Sequence, residues 1–308
     1  MPAGRRIRVI VNAAAGTGHE GELQSRLQTL FDASGAEASI RSTSGPGDLD
    51  ACLQWALADR PEVVVAGGGD GTVSAVASAL VGGPIVLGVL PIGTLNHFAR
   101  DLKLPLELEA AVDAIVNGRA CRVDVGEVNG RCFINNSSLG LYPDIVRDRE
   151  RQQHRLGRGK WPAMAWAILA ALRRYAFMRV RLVVDGAERS RRTPFVFIGN
   201  NEYRMEGFAI GERDRIDGGR LSLYMAQRPG RLRLLQFALR ALTGRLRQAR
   251  DFDAVQAADI TIDSGHRRLR VALDGEVVVM TPPLQYRTRP GVLSVMLPGP
   301  APSTPPDP

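Results

Sequence analysis

Short runs of β-branched residues alternate with helical hydrophobic patterns from Arg6 to about Val123. Strands are predicted at RIRVIVN, EASIRST, EVVVAG and PIVLGVL. Helices are predicted between them at residues 20–33, 49–58 and 73–80. Because strands that alternate with helices form crossover units, this region predicts an α/β domain built on a parallel sheet.

A different pattern begins near Val123, where short strands follow one another more closely. The segment VDVGEVNGRCFINN predicts a hairpin that turns at Asn129 and Gly130. Further strands are predicted at RVRLVVDG, PFVFIGN, LSLYMA, DITID, LRVALDG and VVVM. Regular short strands separated by Gly and Asp turns are typical of an antiparallel β-sandwich.

The two patterns predict two domains. We expect an α/β domain at residues 1–128, to which the last strands at residues 284–297 return. Residues 129–283 are expected to form the β-rich domain. The tail at residues 298–308, PGPAPSTPPDP, is predicted to be disordered because a segment so rich in proline does not pack.

Length and composition fit a folded cytoplasmic protein. The 308 residues, 44% hydrophobic and 23% charged, allow one large domain or two modest ones. The three cysteines have neither the spacing of a zinc site nor that of a disulfide framework, which favours a reducing compartment. The start MPAGRRIRVIVN lacks a signal-peptide pattern, and the uncharged run at residues 161–172 is shorter than the roughly 20 residues of a spanning helix. We therefore expect no transmembrane segment.

The formal net charge of +8 indicates attraction to an acidic partner. Nucleic acid, an anionic membrane and a nucleotide all fit, and charge alone does not choose among them. Only Lys103 and Lys160 are lysines, so almost all of the positive charge is arginine. Genome base composition explains such arginine usage as readily as function does.

The segment VVVAGGGDGTVSAVASAL carries the first chemical signal: an apolar strand, a glycine cluster around Asp70, and a helix of small residues. Glycines at such a turn let backbone N–H groups approach phosphate oxygens, and the helix start adds partial positive charge. Asp70 is then placed to bind the Mg²⁺ that accompanies a nucleotide. The structural alternative is a tight turn with a helix-capping aspartate.

Other nucleotide-binding signatures are missing from the sequence. There is no G-x-x-x-x-G-K-[ST] stretch of a P-loop enzyme, and the protein-kinase motifs are absent as well. The glycines also do not fit the G-x-G-x-x-G spacing of a dinucleotide-binding Rossmann fold.

Two motifs together carry a family resemblance. GGDGT at residues 68–72 and PIGTLNHFARDL at residues 91–102 resemble the diacylglycerol kinase catalytic domain and its bacterial lipid-kinase relatives. GGDGT is shared with NAD kinases, whereas the second motif is similar to the lipid-kinase form. The resemblance runs from about Arg6 to Leu297, since INNSSLGLYPDI, IDGGRLSLYM and VALDGE fall where the family has its later motifs.

The resemblance implies a lipid kinase that uses Mg²⁺ and ATP to phosphorylate the hydroxyl of diacylglycerol or a similar lipid. Carried over position by position, it implies a nucleotide site at Asn12, Gly16, Thr43, Gly68, Gly69, Asp70, Gly71, Thr72, Val73 and Thr94. The four segments that hold these residues end or follow consecutive predicted strands. Ligands of open α/β sheets bind at such strand ends.

The same resemblance implies that Glu276, in LDGEVV, is the general base that takes the proton from the lipid hydroxyl. It also implies that Asp70 and Asp124 lie around the metal and the phosphates. A second Mg²⁺ site is implied at Asp217 with the backbone carbonyls of Asp214 and Gly219, an all-oxygen set that suits a hard cation.

The residues alone leave structural alternatives open at each of these positions. Glu276 also fits an exposed residue after a hairpin turn, Asp124 a structural strand-end aspartate, and Asp217 an ordinary Asp-Gly turn. Thr94 also fits a plain turn hydroxyl.

Some positions depart from the commoner family pattern. Residues 13–15 are alanines where Pro and Ser are frequent, Ser74 stands in place of Asn, and His97 stands in place of Asp. These changes leave adenine contacts and lipid choice open. His97 fits either a catalytic auxiliary or a histidine that hydrogen-bonds locally at a helix start.

Two arginine-rich helical stretches, residues 145–177 and 231–247, are candidates for membrane contact. In the second, leucines recur at helical spacing among arginines, which suits either an interfacial helix or a helix packed on the β-layer. In the first, Trp161 and Trp166 lie between basic residues, as is typical of the headgroup zone. We therefore expect a cytoplasmic protein, peripheral to the inner face of the membrane, that meets its lipid substrate at an anionic phospholipid surface.

Two rival functions remain compatible with the sequence. The first is an NAD kinase-like enzyme or another soluble-substrate kinase of the same superfamily, which would share the phosphate loop. The second is a non-catalytic protein that binds nucleotide or nucleic acid through its arginines. The co-occurrence of Asp70, Asp124 and Glu276 favours catalysis, and nucleic acid is not an expected partner. The identity of the lipid and the oligomeric state are open.

Overall fold

The computed structural model describes residues 5–12, 20–43, 46–140, 178–184, 186–204, 212–226 and 252–299. The chain divides into two compact units. The first unit comprises Met1–Val123 and Gly291–Pro308, and the second comprises Asp124–Pro290.

The first unit is an α/β layer built on a mostly parallel sheet, as predicted. Its elements in chain order are β1 (Arg6–Asn12), α1 (Glu20–Ala33), β2 (Glu37–Thr43), α2 (Pro46–Ala58), β3 (Val63–Gly67), α3 (Asp70–Leu80), β4 (Val86–Leu90), α4 (His97–Asp101), α5 (Leu108–Asn117) and the start of β5 (Arg119–Val128). The last strand, β18 (Leu284–Leu297), re-enters this unit at Gly291. The strand order is β2-β1-β3-β4-β18, with parallel pairing throughout.

The strands of the first unit are nearly continuous apolar runs because they lie in a buried core. Every residue of β3 is buried, as expected for a parallel strand covered on both faces. Ile7 and Val9 of β1 pack with Leu27 and Phe31 of α1 in one apolar cluster. This packing fixes the carboxyl ends of β1 to β4 at one edge of the sheet, from which the candidate phosphate loops emerge.

The second unit consists of short antiparallel strands, which confirms the predicted fold class. The elements are β6 (Arg131–Phe133), β7 (Asn136–Gly140), β8 (Met178–Val184), β9 (Ala187–Thr193), β10 (Phe195–Asn200), β11 (Tyr203–Arg204), β12 (Glu212–Arg213), β13 (Leu221–Ala226), β14 (Phe252–Ala257), β15 (Asp259–Asp263), β16 (Leu269–Leu273) and β17 (Glu276–Met280). One sheet has the order β14-β13-β10-β7-β16-β17. The other runs β18-β15-β8-β9, and the hairpin β5-β6 joins it through β5.

Side chains from both sheets of the second unit share one apolar core. Leu139 and Ile198 of the six-stranded sheet lie in the same buried cluster as Leu182, Ile260 and Tyr286 of the other sheet. This is the arrangement of a β-sandwich. The predicted hairpin is also present, because Val128 pairs with Arg131 and both turn residues between them have a positive φ.

Several expectations fall outside the described residues. They are the helical stretches 145–177 and 231–247, Gly16, and the tail beyond Gly299. Among the helices that the structure describes, none is long and apolar enough to cross a membrane.

Candidate functional site

The glycine loop of the first unit joins β3 to α3 at the carboxyl edge of the sheet. Gly69 precedes the helix in an extended conformation, with φ −79° and ψ 176°, and Asp70 is the first helical residue. Gly68 has a packing reason to be glycine, because a Cβ there would lie 2.7 Å from the Thr72 hydroxyl oxygen. The loop is therefore held tightly against the first turn of α3.

Gly69 and Gly71 have no such packing reason. A Cβ added at either residue meets no atom within 4 Å, and neither residue has a left-handed φ. Glycine inside a helix costs about 1 kcal/mol relative to alanine, yet Gly71 lies in the first turn of α3. Open space above these two glycines is the feature that a ligand close to the backbone requires.

A second loop, residues 91–96, follows β4 and contacts the glycine loop. A Cβ at Gly93 would lie 2.5 Å from the Cα of Gly69, so the two backbones are in direct contact. Asn96, in the left-handed conformation, clamps this loop. Its amide nitrogen donates to the carbonyls of Pro91 (2.9 Å) and Gly93 (2.8 Å), and its amide oxygen accepts from the Gly93 N–H at 3.0 Å.

Asn96 was not singled out from the sequence, although it stands inside the PIGTLN motif. An asparagine tolerates the left-handed backbone and bonds locally, and this is the signal that could have identified it. Next to it, Thr94 and His97 are exposed. The clamp therefore leaves these two side chains at the surface of the loop.

The structure brings most of the predicted nucleotide residues together. The Asn12 side-chain amide donates to the Thr72 hydroxyl at 3.1 Å, which joins the end of β1 to α3. Thr43 is buried and lies beside Asn12 in the parallel pairing of β1 and β2. The Asp70 carboxylate accepts a long hydrogen bond, 3.4 Å, from the Phe98 N–H of α4.

In the second unit, Asp124 is buried and tied to the loop at residues 214–219. Its carboxylate accepts a 2.6 Å hydrogen bond from the Gly219 N–H, and its backbone N–H donates to the Ile216 carbonyl. The side-chain amide of Asn200 donates to the Asp124 carbonyl at 2.8 Å. Asp124 and the loop that carries the predicted second metal site are thus one local structure.

Arginines that the sequence analysis did not consider engage the carboxylates of this loop. Asp214 pairs with Arg204 at 2.7 Å, and Asp217 pairs with Arg215 at 3.1 Å. All four side chains are more than half exposed, so the pairs are weak. A cation at Asp217 would share the carboxylate with the Arg215 guanidinium. Within the described ranges no group of three or more His, Cys, Asp or Glu is arranged to hold a metal ion.

Glu276 is exposed and opens β17 directly after a tight turn. The two turn residues, Asp274 and Gly275, have φ values of 46° and 93°, as a type I′ turn requires. The Asp274 carboxylate accepts three backbone N–H bonds from residues 134–136. The turn that carries Glu276 is thus bonded to the segment before β7.

A further buried carboxylate, Glu127, was not anticipated. It accepts hydrogen bonds from Arg287 at 2.8 Å and from Arg289 at 3.1 Å. Nearby, burial and then the charge of Glu127 raise the pKa of the Cys132 thiol. Burial also raises the pKa of Tyr286, whose hydroxyl bonds to Ser137 in the core. These hydrogen bonds link β5 and β7 to β18 within the second unit.

Comparison with known families agrees with the two units. The diacylglycerol kinase catalytic domain matches residues 6–128, and the YegS C-terminal NAD kinase beta sandwich-like domain matches residues 144–297. The two models together span most of the chain. The chain belongs to this diacylglycerol kinase-like family, as the resemblance predicted.

Individual relatives match over a shorter stretch. The diacylglycerol kinase of Bacillus subtilis (strain 168) is 34% identical over 149 residues, which cover 47% of this chain and 48% of that protein. The diacylglycerol kinase of Staphylococcus carnosus (strain TM300) is 32% identical over 143 residues, 46% of this chain and 47% of that protein. The chain thus spans about half the length of the curated relatives it matches.

A solved structure shares the fold. A crystal structure of a diacylglycerol kinase from Bacillus anthracis str. Sterne has a TM-score of 0.69 and covers 95% of this chain and 97% of that chain. At 21% sequence identity this likeness shows the fold alone.

Proposed function

We propose that this protein is an ATP- and Mg²⁺-dependent lipid kinase that phosphorylates the hydroxyl of diacylglycerol or a similar lipid. The observation that carries the proposal is the open space above Gly69 and Gly71 at the start of α3. It lies in a GGDGT loop that contacts a second family motif through Gly93. Family membership supplies the reaction class.

The residues of the first unit fit a bound nucleotide. Backbone N–H groups at Gly69 and Gly71 would hold phosphate oxygens, because the start of α3 carries partial positive charge and no side chain caps it. Asn12 and Thr72, already bonded to each other, would supply further polar contacts at the same sheet edge. The exposed Thr94 hydroxyl belongs to the adjoining loop.

Asp70 is the residue that would hold the metal. Its carboxylate is only partly buried, and the backbone hydrogen bond that it accepts from Phe98 is long, at 3.4 Å, so it has capacity for a cation. When bound, Mg²⁺ neutralises negative charge on the β- and γ-phosphates, which phosphoryl transfer requires. Asp124 is proposed to support the same charge balance.

We propose that Glu276 is the general base that takes the proton from the acceptor hydroxyl. A general base must reach a substrate hydroxyl, and Glu276 is exposed on a rigid turn. Asp124 is the poorer candidate, because its carboxylate is buried and already accepts the Gly219 N–H. Asp217 and the carbonyls of Asp214 and Gly219 remain a proposed site for a second, structural Mg²⁺.

The lipid acceptor is proposed from family membership and from the names of the matched relatives. Such a substrate would be met at a membrane surface, and the net charge of +8 favours an anionic one. We accordingly propose a cytoplasmic protein that binds the inner face of the membrane peripherally.

One observation favours a second acceptor class. The model that matches residues 144–297 is described as NAD kinase beta sandwich-like, and GGDGT is a motif shared with NAD kinases. A soluble acceptor such as NAD is therefore the alternative substrate.

An acceptor competition tests the proposal. The purified full chain is incubated with γ-labelled ATP, Mg²⁺, a total lipid extract and NAD in one reaction. Label in the organic phase, identified by mass spectrometry as a phosphorylated glycerolipid, is the expected result. Label on NAD alone, or ATP turnover without an acceptor, would overturn the lipid-kinase assignment.

A further inference from the structure

The turn that carries Glu276 is bonded to residues 134–136 by more contacts than a turn requires. The Asp274 carboxylate accepts the N–H groups of Ile134 (2.8 Å), Asn135 (2.8 Å) and Asn136 (2.9 Å). The Asp274 N–H also donates to the Asn136 carbonyl at 2.9 Å. A type I′ turn needs only positive φ at its two central residues, and Asn-Gly or Gly-Gly would serve as well as Asp-Gly. The turn therefore does not need the Asp274 carboxylate for its own conformation, and the carboxylate instead binds residues 134–136.

The same segment is held from its other side by a buried polar network. The Ile134 carbonyl accepts from the Asn200 amide at 3.0 Å and from the Arg213 guanidinium at 2.8 Å. Arg213 also donates to the Asn135 side chain at 2.9 Å and is only 5% exposed. These buried bonds hold the segment in place, although the amide oxygen of Asn200 has no hydrogen-bond partner among the described residues.

This network reaches the backbone of Asp124, the other proposed catalytic residue of the unit. The Asn200 amide that binds Ile134 also donates to the Asp124 carbonyl at 2.8 Å. A continuous series of hydrogen bonds thus leads from Asp124 through Asn200 and residues 134–136 to Asp274. Glu276 follows Asp274 by two residues.

We propose that Asp274 is a positioning residue, which fixes the orientation of the turn and thereby places the Glu276 carboxylate relative to Asp124. The inference rests on the proposed function, in which Glu276 takes the acceptor proton. Without the three N–H bonds, the turn keeps its type I′ form and the backbone bond from the Asp274 N–H to the Asn136 carbonyl, but it loses the side-chain anchor that fixes its orientation on residues 134–136. Misplacement of a catalytic group by about 1 Å costs on the order of 10²-fold in rate.

Two substitutions at Asp274 test the positioning role. Asp274→Gly produces a Gly-Gly turn and removes both acceptor oxygens, and with them all three hydrogen bonds, whereas Asp274→Asn keeps the size of the side chain and one acceptor oxygen. We expect kcat to fall about 10- to 100-fold in Asp274→Gly and by less in Asp274→Asn. KM for ATP should stay within about twofold, because the nucleotide does not contact this turn in the proposal.

Asn129→Gly is the matched control. Asn129 heads a second type I′ turn among the described residues of this unit, and its side chain bonds to the Gln285 N–H and to the carbonyls of Thr281 and Pro283. The control creates the same Gly-Gly turn and removes a similar number of contacts away from Glu276. Its kcat should remain near that of the wild type.

A double-mutant cycle with Glu276→Gln separates positioning from general stability. If Asp274 acts through Glu276, adding Asp274→Gly to Glu276→Gln lowers kcat no more than about twofold further. A loss that is additive with Glu276→Gln, or a kcat for Asp274→Gly equal to that of Asn129→Gly, overturns the inference. If Asp274→Gly does not fold, the same comparisons are made with Asp274→Asn.

The outcomes also distinguish this inference from the proposed function. Full activity in Glu276→Gln would refute the proposed general base itself. An inactive Glu276→Gln together with fully active Asp274 variants would refute the positioning role alone.

Discussion

Replacing Gly71 by alanine should separate folding from nucleotide binding. Gly71 is the second residue of α3, just as Gly47 is the second residue of α2 (Pro46–Ala58). A Cβ added at either glycine meets no atom within 4 Å. The fold therefore accepts alanine at both positions, but only Gly71 lies in the loop proposed to hold phosphate.

The two effects have opposite signs at Gly71. For folding, alanine in place of a helical glycine at a compatible site stabilises by about 0.4–1 kcal/mol. For binding, the new methyl group occupies the space where a phosphate oxygen would approach the backbone. Loss of one hydrogen bond to a charged group costs about 1.5–3 kcal/mol, which corresponds to roughly 10- to 150-fold weaker binding of ATP.

Thermal unfolding and isothermal titration with MgATP measure the two effects separately. We expect Gly71→Ala to unfold at the same or a higher temperature than the wild type and to bind MgATP at least about tenfold more weakly. Gly47→Ala should be stabilised to a similar extent and keep the wild-type affinity. If Gly71→Ala bound MgATP as tightly as Gly47→Ala does, the glycine loop would not be a phosphate site.

Three further predictions address the metal and the core. Asp70→Asn should lower kcat sharply and raise the Mg²⁺ concentration for half-maximal activity, because an amide binds a cation poorly. A titration of activity against Mg²⁺ checks this. Wild-type activity of the variant at low Mg²⁺ would contradict it. Tyr286→Phe should destabilise the protein by about 1–3 kcal/mol because Ser137 loses its buried partner, and adding Ser137→Ala should recover most of that loss in denaturant unfolding. Burial raises the pKa of Tyr286, so this tyrosine ionises at lower pH in the unfolded chain than in the folded protein. The free energy of unfolding of the wild type should therefore fall as pH rises above about 10, and it should fall less in Tyr286→Phe. Equal pH profiles of stability in the two proteins would refute this cause.

The order of elements in the first unit was readable from the sequence because its signals are local. Buried β-branched runs such as VVVAG mark the strands, and the intervening segments have helical patterns. Helix α3 nevertheless begins at Asp70, three residues before the predicted start at Val73, because the glycine-rich turn winds into the helix. Helix α5 (Leu108–Asn117) was missed although Ala111, Val112 and Ile115 form its buried face, so that signal was available.

Polar edge strands were harder to predict. The strand β9, AERSRRT, pairs with β8 but is exposed at six of its seven positions, so its sequence lacks the apolar alternation that marks a strand. Its pairing is set by the neighbouring apolar strand β8, a tertiary influence that no local pattern contains.

Some features of the candidate site could likewise be predicted from local motifs, whereas others depend on contacts between distant parts of the chain. The glycine loop and the loop clamped by Asn96 lie in contiguous motifs, so their residues could be proposed from the sequence. The bonds between Asp274 and residues 134–136 join positions about 140 apart in the chain, and no local pattern indicates them. The pairing of Arg204 with Asp214 likewise depends on how β11 and β12 meet.

Phosphate transfer by Glu276→Gln shows whether Glu276 is the catalytic base of a lipid kinase. We compare three proteins in an assay that contains γ-labelled MgATP and diacylglycerol in mixed micelles: wild type, Glu276→Gln and the control Glu188→Gln. Glu188 is an exposed glutamate of β9. The MgATP affinity of each protein is measured in parallel. We expect labelled phosphatidic acid from wild type and Glu188→Gln, a loss of about 10²- to 10⁴-fold in kcat for Glu276→Gln, and unchanged MgATP affinity in all three. Transfer to diacylglycerol by Glu276→Gln at more than about a tenth of the wild-type rate, or no transfer to lipid by the wild type, would contradict it.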